Sequence, residues 1–429
     1  ANGLKVELAR RTTVPLVRML LSVEGGRAAD ERGSLGIQSM ALNLMDEGAA
    51  GRSGTDIAEL RERLGAGIGA SPGMDRTRIS LDALKSNLGA SLALFADIVQ
   101  RPDYPPAEIE RVRGQMLTAL QQEASNPIGI AQRILSPALY GPAHPYGAPP
   151  SGLGTADSVK AITRDRLVAW HKRGIRVDRG TLCVVGDITA AELKPQLDAA
   201  FGSWRADAAT PAGTITAAAA PPPQAARIIL VDRPNSPQSL ILAGTLLPIT
   251  GTQDLIAERA AADVLGGLST SRITTDIREE KNWAYGAYAG LTDGKGQLTS
   301  LIYAPVQTDR TADSMKAIQA DIAAIKAAKP ITAEERNRSI ANSVLALPGE
   351  FERGTAFLSA MERNQILGRP DDYYVTAARR LGALTTADLN RAVQLFDTDK
   401  LLWIVVGDRA KVEPQLKALG LPVEVRAAQ

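Results

Sequence analysis

Three positions in the stretch GIQSMALNLMDEGAA, residues 36–50, have the spacing of a metal-binding helix without its chemistry. Ser39 and Asn43 are four residues apart, so both project from one face of a helix beside Leu42. Zinc is bound by imidazole, thiolate or carboxylate groups, whereas a hydroxyl, an alkyl and an amide side chain are weak ligands or none. Two alternatives follow: an ordinary helix, or a catalytic helix whose chemistry has been removed.

Other candidate metal ligands are few, because His144 and His171 are the only histidines and Cys183 is the only cysteine. His144 lies in a Pro-Tyr-Gly turn and His171 in the amphipathic stretch TRDRLVAWHKRG, which favours hydrogen-bonding or surface roles. Cys183 lies in the apolar run TLCVVG, which favours a buried strand thiol. We therefore predict no metal in this chain, and a single cysteine excludes an intrachain disulfide.

Composition is that of a globular protein with more than one domain. The chain has 429 residues, of which 45% are apolar and 22% charged, and its formal net charge is only +2. The sequence has no run of 18 apolar residues, so it predicts no membrane span. The near-neutral balance and the 4% aromatic content give no support for nucleic acid as a partner.

The elements around these positions occur twice. Three pairs of matching stretches appear in the same order, at offsets of 221, 222 and 217 residues. They are VVGD at 184–187 and 405–408, the strand-like segments containing Pro15 and Pro237, and LRERLGAGIGA from Leu60 with IREEKNWAYGA from Ile277. This pattern predicts a duplicated domain rather than a solenoid, whose period would be much shorter.

The linker between the copies is the Ala/Pro-rich stretch 206–226, which is nearly free of charge. We therefore predict an N-terminal domain over 1–205 and a C-terminal domain over 227–429. Pairs of strand-like runs alternate with long helical patterns in each copy. This order predicts an α+β fold, in which each domain has a mostly antiparallel sheet covered by helices on one face.

The order of motifs resembles the pitrilysin/insulinase family of zinc metallopeptidases, whose signature is the inverted motif H-x-x-E-H on a helix. The resemblance covers nearly the whole chain. In the first half it depends on NGLKVEL, GGRAADERGSLGIQSMALNLMDEG, the HPYG box at 144–147 and VVGD, and in the second half on VLGGLSTSRITTDIREEKNWAYGAYAG.

By this resemblance the two zinc-binding histidines of the family fall on Ser39 and Asn43, and the catalytic Glu falls on Leu42. The family's third ligand, a Glu in a downstream helix, falls near Leu117, and no carboxylate occurs between Glu110 and Glu123. The resemblance therefore implies a family member that binds no catalytic zinc. It decides between the two alternatives in favour of a catalytic helix that has lost its chemistry.

The resemblance also implies a role for Arg278 and Tyr285, because the C-terminal half of the family supplies an Arg and a Tyr seven residues apart to the substrate. The phenol would donate a hydrogen bond to the oxygen on which charge develops, and the guanidinium would hold a peptide carbonyl or that oxyanion. The corresponding residues of the first copy are Arg61 and Ile68, so the tyrosine is specific to the second.

Simpler interpretations of the same residues remain open. Arg278 pairs with Glu279 on a solvated helix, or Tyr285 packs its ring on the core. Tyr288 is a weaker candidate because it is ten residues from Arg278, and the GGLSTS loop at 266–271 lacks the Lys of a phosphate-binding loop. We expect Tyr285 to lie on a strand, and the resemblance implies that GAYAGL or LTSLIYAP neighbours a peptide that adds a strand to the sheet.

These observations predict the zinc-less subunit of a two-chain zinc metallopeptidase. A homologous partner subunit with an intact H-x-x-E-H would hold the zinc, and this chain would contribute Arg278 and Tyr285 to the cleavage of peptides. The alternatives are a catalytically dead scaffold and a peptide-binding relative without a peptidase role. The start at Ala1, without Met, favours a periplasmic protein after removal of a signal peptide, with the cytoplasm as the alternative.

Overall fold

A computed structural model of the chain describes residues 2–213, 215 and 220–427. Its strands are β1 (Lys5–Arg10), β2 (Leu16–Glu24), β3 (Gly48–Ala49), β4 (Arg52–Ser53), β5 (Gly67–Pro72), β6 (Arg76–Leu84), β7 (Gly180–Gly186), β8 (Arg227–Asp232), β9 (Gln238–Thr250), β10 (Tyr288–Leu291), β11 (Gln297–Gln307), β12 (Leu402–Gly407) and β13 (Val423–Arg426).

The helices alternate with these strands, and short 3-10 and π-helical turns occur between them. They are α1 (Ile37–Asn43), α2 (Gly54–Leu64), α3 (Leu88–Gln100), α4 (Pro106–Ser125), α5 (Pro127–Tyr140), α6 (Ala156–Lys160), α7 (Arg164–Gly174), α8 (Ala190–Phe201), α9 (Ile256–Ala262), α10 (Arg272–Thr274), α11 (Thr311–Lys326), α12 (Ala333–Glu350), α13 (Gly354–Leu367), α14 (Tyr373–Ala383), α15 (Thr386–Ala392) and α16 (Arg409–Lys417). None of the helices in the described part of the chain combines the length and apolarity needed to cross a bilayer.

The two large sheets repeat one strand order. The first is β1-β7-β2-β6-β5, and the second is β8-β12-β9-β11-β10 with β13 added outside β8. In each sheet the strand that leads into VVGD pairs in parallel with the first strand, and β13 adds another parallel pair with β8. The prediction of mostly antiparallel sheets is confirmed, and the matching orders support the duplication.

The alternation of β2 shows how the sequence builds the first sheet. Met19 and Leu21 are fully buried in the main apolar cluster on one face of this sheet, whereas Arg18 and Ser22 project from the other face. Helix α2 begins at a capping box of Ser53 and Asp56 and ends at Gly65 in the left-handed conformation, as its sequence predicts.

Two compact units divide the chain, and neither is continuous in sequence. Unit 1 comprises Ala1–Gln121, Pro150–Ala218 and Glu350–Ile366, and unit 2 comprises Gln122–Pro149, Ala219–Gly349 and Leu367–Gln429. Compared with the predicted domains 1–205 and 227–429, each unit therefore holds one segment from the other half of the sequence. Of the predicted linker 206–226, residues 214 and 216–219 lie outside the described residues.

The exchanged segments place a further helix on the second face of each sheet. In unit 2, Ile130 and Leu135 of α5 pack on an apolar surface that includes Ile229 and Leu242. In unit 1, Leu358 of α13 packs on Leu20. The prediction of helices on one face is therefore incomplete, because the sequence pattern does not show which sheet a distant helix covers.

Candidate functional site

The helix that carries the altered zinc-motif positions is built into the core of unit 1. Ser39 Oγ donates a hydrogen bond to the carbonyl oxygen of Gly152 at 2.7 Å. Leu42 is 3% exposed and packs in the main apolar cluster, and Asn43 is exposed in the last turn of α1. A hydroxyl committed to a carbonyl and a buried leucine offer no ligand to a metal.

The third position lies on α4 and is also apolar. Leu117 packs against a satellite apolar cluster of unit 1, in which Met116 is buried. Within residues 2–213, 215 and 220–427, no group of three or more His, Cys, Asp and Glu side chains is arranged to hold a metal ion. The residues at these positions therefore do not fit the catalytic zinc of the family.

The two histidines and the cysteine have local partners or are buried. His144 Nδ1 accepts a hydrogen bond from the backbone N–H of Tyr146 at 3.0 Å. His171 Nε2 lies 2.8 Å from the carbonyl oxygen of Val99, and burial lowers the pKa of its imidazole. Burial raises the pKa of the Cys183 thiol to about 12, so the thiol is protonated and unreactive at neutral pH.

Arg278 and Tyr285 lie next to each other in unit 2. Arg278 belongs to the π-helical turn Thr275–Glu280, and its guanidinium carbon lies 5.3 Å from the centre of the Tyr285 ring. Its Nε atom is 3.1 Å from Oε1 of Glu279. Tyr285 is 84% exposed, so its ring does not pack on the core. The cation–π contact keeps both polar groups at one place on the surface.

Tyr285 is exposed because the chain bulges before β10. Ala284 forms an isolated antiparallel bridge with Val306, whereas Tyr288 pairs with Tyr303 at the start of β10. Between these two pairs the first strand advances by four residues and the second by three, which leaves one extra residue in the segment 285–287. Bulges of this kind redirect side chains. The expectation that Tyr285 lies on a strand is wrong, because the regular strand begins three residues later.

Hydrogen bonds on both sides hold the bulge in place. Buried Thr274 donates to the carbonyl oxygen of Ala287 at 2.6 Å, which connects the helix preceding Arg278 to the far end of the bulge. Gln307 Nε2 donates to the carbonyl oxygen of Asn282 at 3.1 Å. Thr274 is thus a positioning residue that no sequence signal indicates, since its partner lies 13 residues away in an irregular segment.

The strand that follows the bulge lies at the edge of its sheet. Among the strands that the structure describes, β10 pairs only with β11, and β11 lies between β10 and β9. The GAYAGL segment therefore includes an edge strand. The suggestion that LTSLIYAP could border a peptide is wrong, because this segment lies on β11, whose two edges are paired with β10 and β9. In unit 1 the corresponding edge strand is β5.

Family profiles match most of the chain. The insulinase profile, peptidase family M16, matches residues 5–144, and the profile described as the peptidase M16 inactive domain matches residues 161–343. Among solved structures, the peptidase M16 inactive domain from Pseudomonas fluorescens has a TM-score of 0.86 at 23% identity, covering 95% of this chain and 96% of that chain. A protease from Helicobacter pylori has a TM-score of 0.84 at 20% identity, covering 94% and 97%.

Named relatives differ in how they are described. An uncharacterized zinc protease of Mycobacterium tuberculosis is 27% identical over 68% of this chain, and the match spans 66% of its own length, just under two thirds. The uncharacterized zinc protease YmxG of Bacillus subtilis is 23% identical over 94% of this chain and 96% of its own length. A Helicobacter pylori relative named a non-peptidase homolog is 21% identical over 64% of this chain and 62% of its own length. This chain belongs to peptidase family M16, as a member in which the zinc-motif positions are Ser39, Leu42 and Asn43.

Proposed function

We propose that this chain is the zinc-less subunit of a two-chain M16 peptidase that cleaves peptides. A homologous partner subunit with an intact H-x-x-E-H motif would bind the zinc, and this chain would add Arg278 and Tyr285 to the active site. One observation carries the proposal. A bulge exposes Tyr285 beside the Arg278 guanidinium at a sheet edge, while the positions of the zinc motif hold a bonded hydroxyl and a buried leucine.

Each group has a distinct role in this proposal. A zinc ion held by the partner would supply the activated water. The Tyr285 phenol donates a hydrogen bond to the carbonyl oxygen of the scissile peptide as that oxygen gains charge, and the Arg278 guanidinium holds the same oxygen or a neighbouring carbonyl. Removing one such donor typically costs about 3 kcal/mol of transition-state stabilisation, which corresponds to about a hundredfold in rate. The contact with Glu279 must then open, since it occupies one side of the guanidinium.

Reconstitution tests the proposal. The chain is mixed with a homologous chain that carries H-x-x-E-H, and cleavage of a quenched fluorescent peptide is measured for each chain alone and for the mixture. We expect activity only in the mixture, and a loss of about a hundredfold with Tyr285→Phe or Arg278→Ala. Tyr288→Phe and Arg310→Ala are matched controls, since they alter an exposed phenol and an exposed cation of the same unit, and should change the rate less than twofold.

Two results would refute the proposal: stoichiometric zinc binding with cleavage by this chain alone, or full activity of the mixture after both substitutions. A scaffold without a peptidase role is the second candidate, favoured by the name of the Helicobacter pylori non-peptidase relative. Stable association of the two chains without cleavage would support it. A periplasmic location stays a prediction, which cell fractionation tests.

A further inference from the structure

Unit 1 contains a cavity of about 130 Å³ beside the first turn of α1. Its wall includes residues from the loop 25–36, from α1, from β6 and from α7, among them Gly25, Asp30, Gln38, Thr77 and Trp170. One water molecule needs roughly 10–15 Å³ of such volume, so the cavity has room for a group much larger than one water.

Two polar side chains in the wall of this cavity, Asp30 and Gln38, present hydrogen-bond acceptors to it. Asp30 accepts a hydrogen bond from Trp170 Nε1 at 3.1 Å, and the backbone N–H of Gln38 also donates to it. The Gln38 side chain is 1% exposed, and its Nε2 donates to Thr77 Oγ1 at 2.6 Å. Gln38 Oε1 is buried without a partner. A buried acceptor without a donor is costly, and native proteins retain few of them.

Two arginines that line the same cavity already donate to nearby groups. Arg166 Nη2 donates to Ser34 Oγ at 2.6 Å and to the carbonyl oxygen of Gly33. Arg173 Nη1 donates to Glu31. A molecule that satisfies Gln38 Oε1 must therefore bring a donor, and the Asp30 carboxylate in the same wall can accept a further hydrogen bond from it.

We propose that the cavity binds the head group of an organic cation that carries N–H donors, a primary ammonium or a guanidinium group. The head group donates to Asp30 and to Gln38 Oε1, and its charge lies against the Trp170 ring. Two sources share this chemistry: a free small amine, and a Lys or Arg side chain of a peptide. The site lies wholly in unit 1 and is independent of Arg278 and Tyr285, which belong to unit 2.

The electrostatics and the duplication both support this site. Burial raises the pKa of the Asp30 carboxyl to about 7, although Trp170, Gln38, Arg27 and Arg173 act to lower it, so the carboxylate is under-compensated. The cavity loop is also specific to the first copy. Between β2 and α1 the chain has 12 residues, 25–36, whereas between β9 and α9 it has five, 251–255.

Titration of the purified full chain tests the proposal, with calorimetry and the fluorescence of Trp170 as readouts. The free probes are n-butylammonium and n-butylguanidinium, and the peptide probe is an alanine peptide with one lysine. Butyramide is the neutral control. We expect saturable binding of the cations but not of butyramide, and a fluorescence change that Trp170→Phe abolishes. If the peptide binds tenfold more tightly than n-butylammonium, the source of the cation is a peptide side chain. If the two bind equally well, the source is a free amine.

Variants separate the site from the surface charge around it. We expect Asp30→Asn to weaken binding at least tenfold and Gln38→Leu several fold, whereas Glu31→Gln, which alters an exposed carboxylate at the rim, changes it less than twofold. Circular dichroism checks that each variant folds. If Asp30→Asn does not fold, Gln38→Leu alone tests the site. The proposal is overturned if no cation binds saturably, if butyramide binds as well as the cations, or if both inner variants bind like the original chain.

Discussion

The two copies of the repeated plan differ most clearly at the edge strand of each sheet. In the first copy, Ile68 lies on β5 in unbroken register with Leu81 and is 6% exposed. At the matching position of the second copy, Tyr285 lies in a bulge and its ring faces solvent beside Arg278. One extra residue thus converts a core position into a surface position, because side chains of a regular strand alternate between faces.

The second faces of the sheets show the same kind of divergence. In unit 2, α5 covers an apolar surface. In unit 1, α13 places the buried carboxylate of Glu362 within 2.7 Å of Ser22 Oγ and 2.6 Å of Arg78 Nη2. Duplication therefore preserved strand order while polar and apolar roles were redistributed.

The largest expected effect compares the two edge positions directly. Ile68→Ala should lower the free energy of unfolding by about 2–5 kcal/mol, because it leaves a cavity in the main core of unit 1. Tyr285→Ala should change it by less than about 0.5 kcal/mol, because the ring is 84% exposed. Urea unfolding followed by circular dichroism measures both. Equal losses would show that Tyr285 is a structural residue, and would weaken the contrast between the copies.

The next effect concerns the polar second face. Glu362→Gln should lower the free energy of unfolding by roughly 1–3 kcal/mol, because the amide loses the charge that faces Arg78 while one hydrogen bond to Ser22 is kept. Arg78 is about half exposed, so solvent limits the loss. Glu424→Gln is a matched control, an exposed carboxylate paired with Arg426 on the edge strand β13. If both substitutions have the same small effect, the buried carboxylate does not anchor α13.

A pH-dependent effect is expected at Asp30, in the loop that is longer in the first copy than in the second. Its pKa is about 7 in the folded chain and about 4 when unfolded, so between these values the folded state binds more protons. Stability should therefore fall as pH rises from about 4 to about 7, by at most about 1.4 kcal/mol per pH unit from this group. Asp30→Asn should remove that slope, and Glu31→Gln should retain it, in urea unfolding at a series of pH values.

The smallest effect is expected within the bulge itself. A Cβ atom at Gly286 would lie 2.8 Å from the Tyr288 hydroxyl oxygen, so Gly286→Ala must displace that ring. Because the Tyr288 ring is 41% exposed, the cost to stability should be about 1 kcal/mol or less. Gly290→Ala is the control, since nothing lies near its added Cβ. Our proposal expects the rate of the reconstituted pair to fall only for Gly286→Ala; unchanged rates in both would show that the bulge tolerates rearrangement.

Local patterns in the sequence determined much of this molecule. Strand faces and helix starts depend on neighbours along the chain, so a few residues are enough to predict them. Examples are the alternation of β2, the capping box at Ser53 and the repeated VVGD. The replacement of zinc ligands by Ser39, Leu42 and Asn43 is likewise a property of side-chain chemistry alone, and needs no coordinates.

Only the tertiary structure decided which surfaces meet. The packing of α5 and α13 on sheets from the other half of the sequence, the cavity around Asp30 and the exposure of Tyr285 all depend on contacts between distant segments or on a single-residue change of register. An apolar helix face matches many apolar sheet faces equally well, and a bulge leaves no compositional mark. The chemistry of each residue is therefore set by the sequence, whereas its accessibility is set by long-range packing.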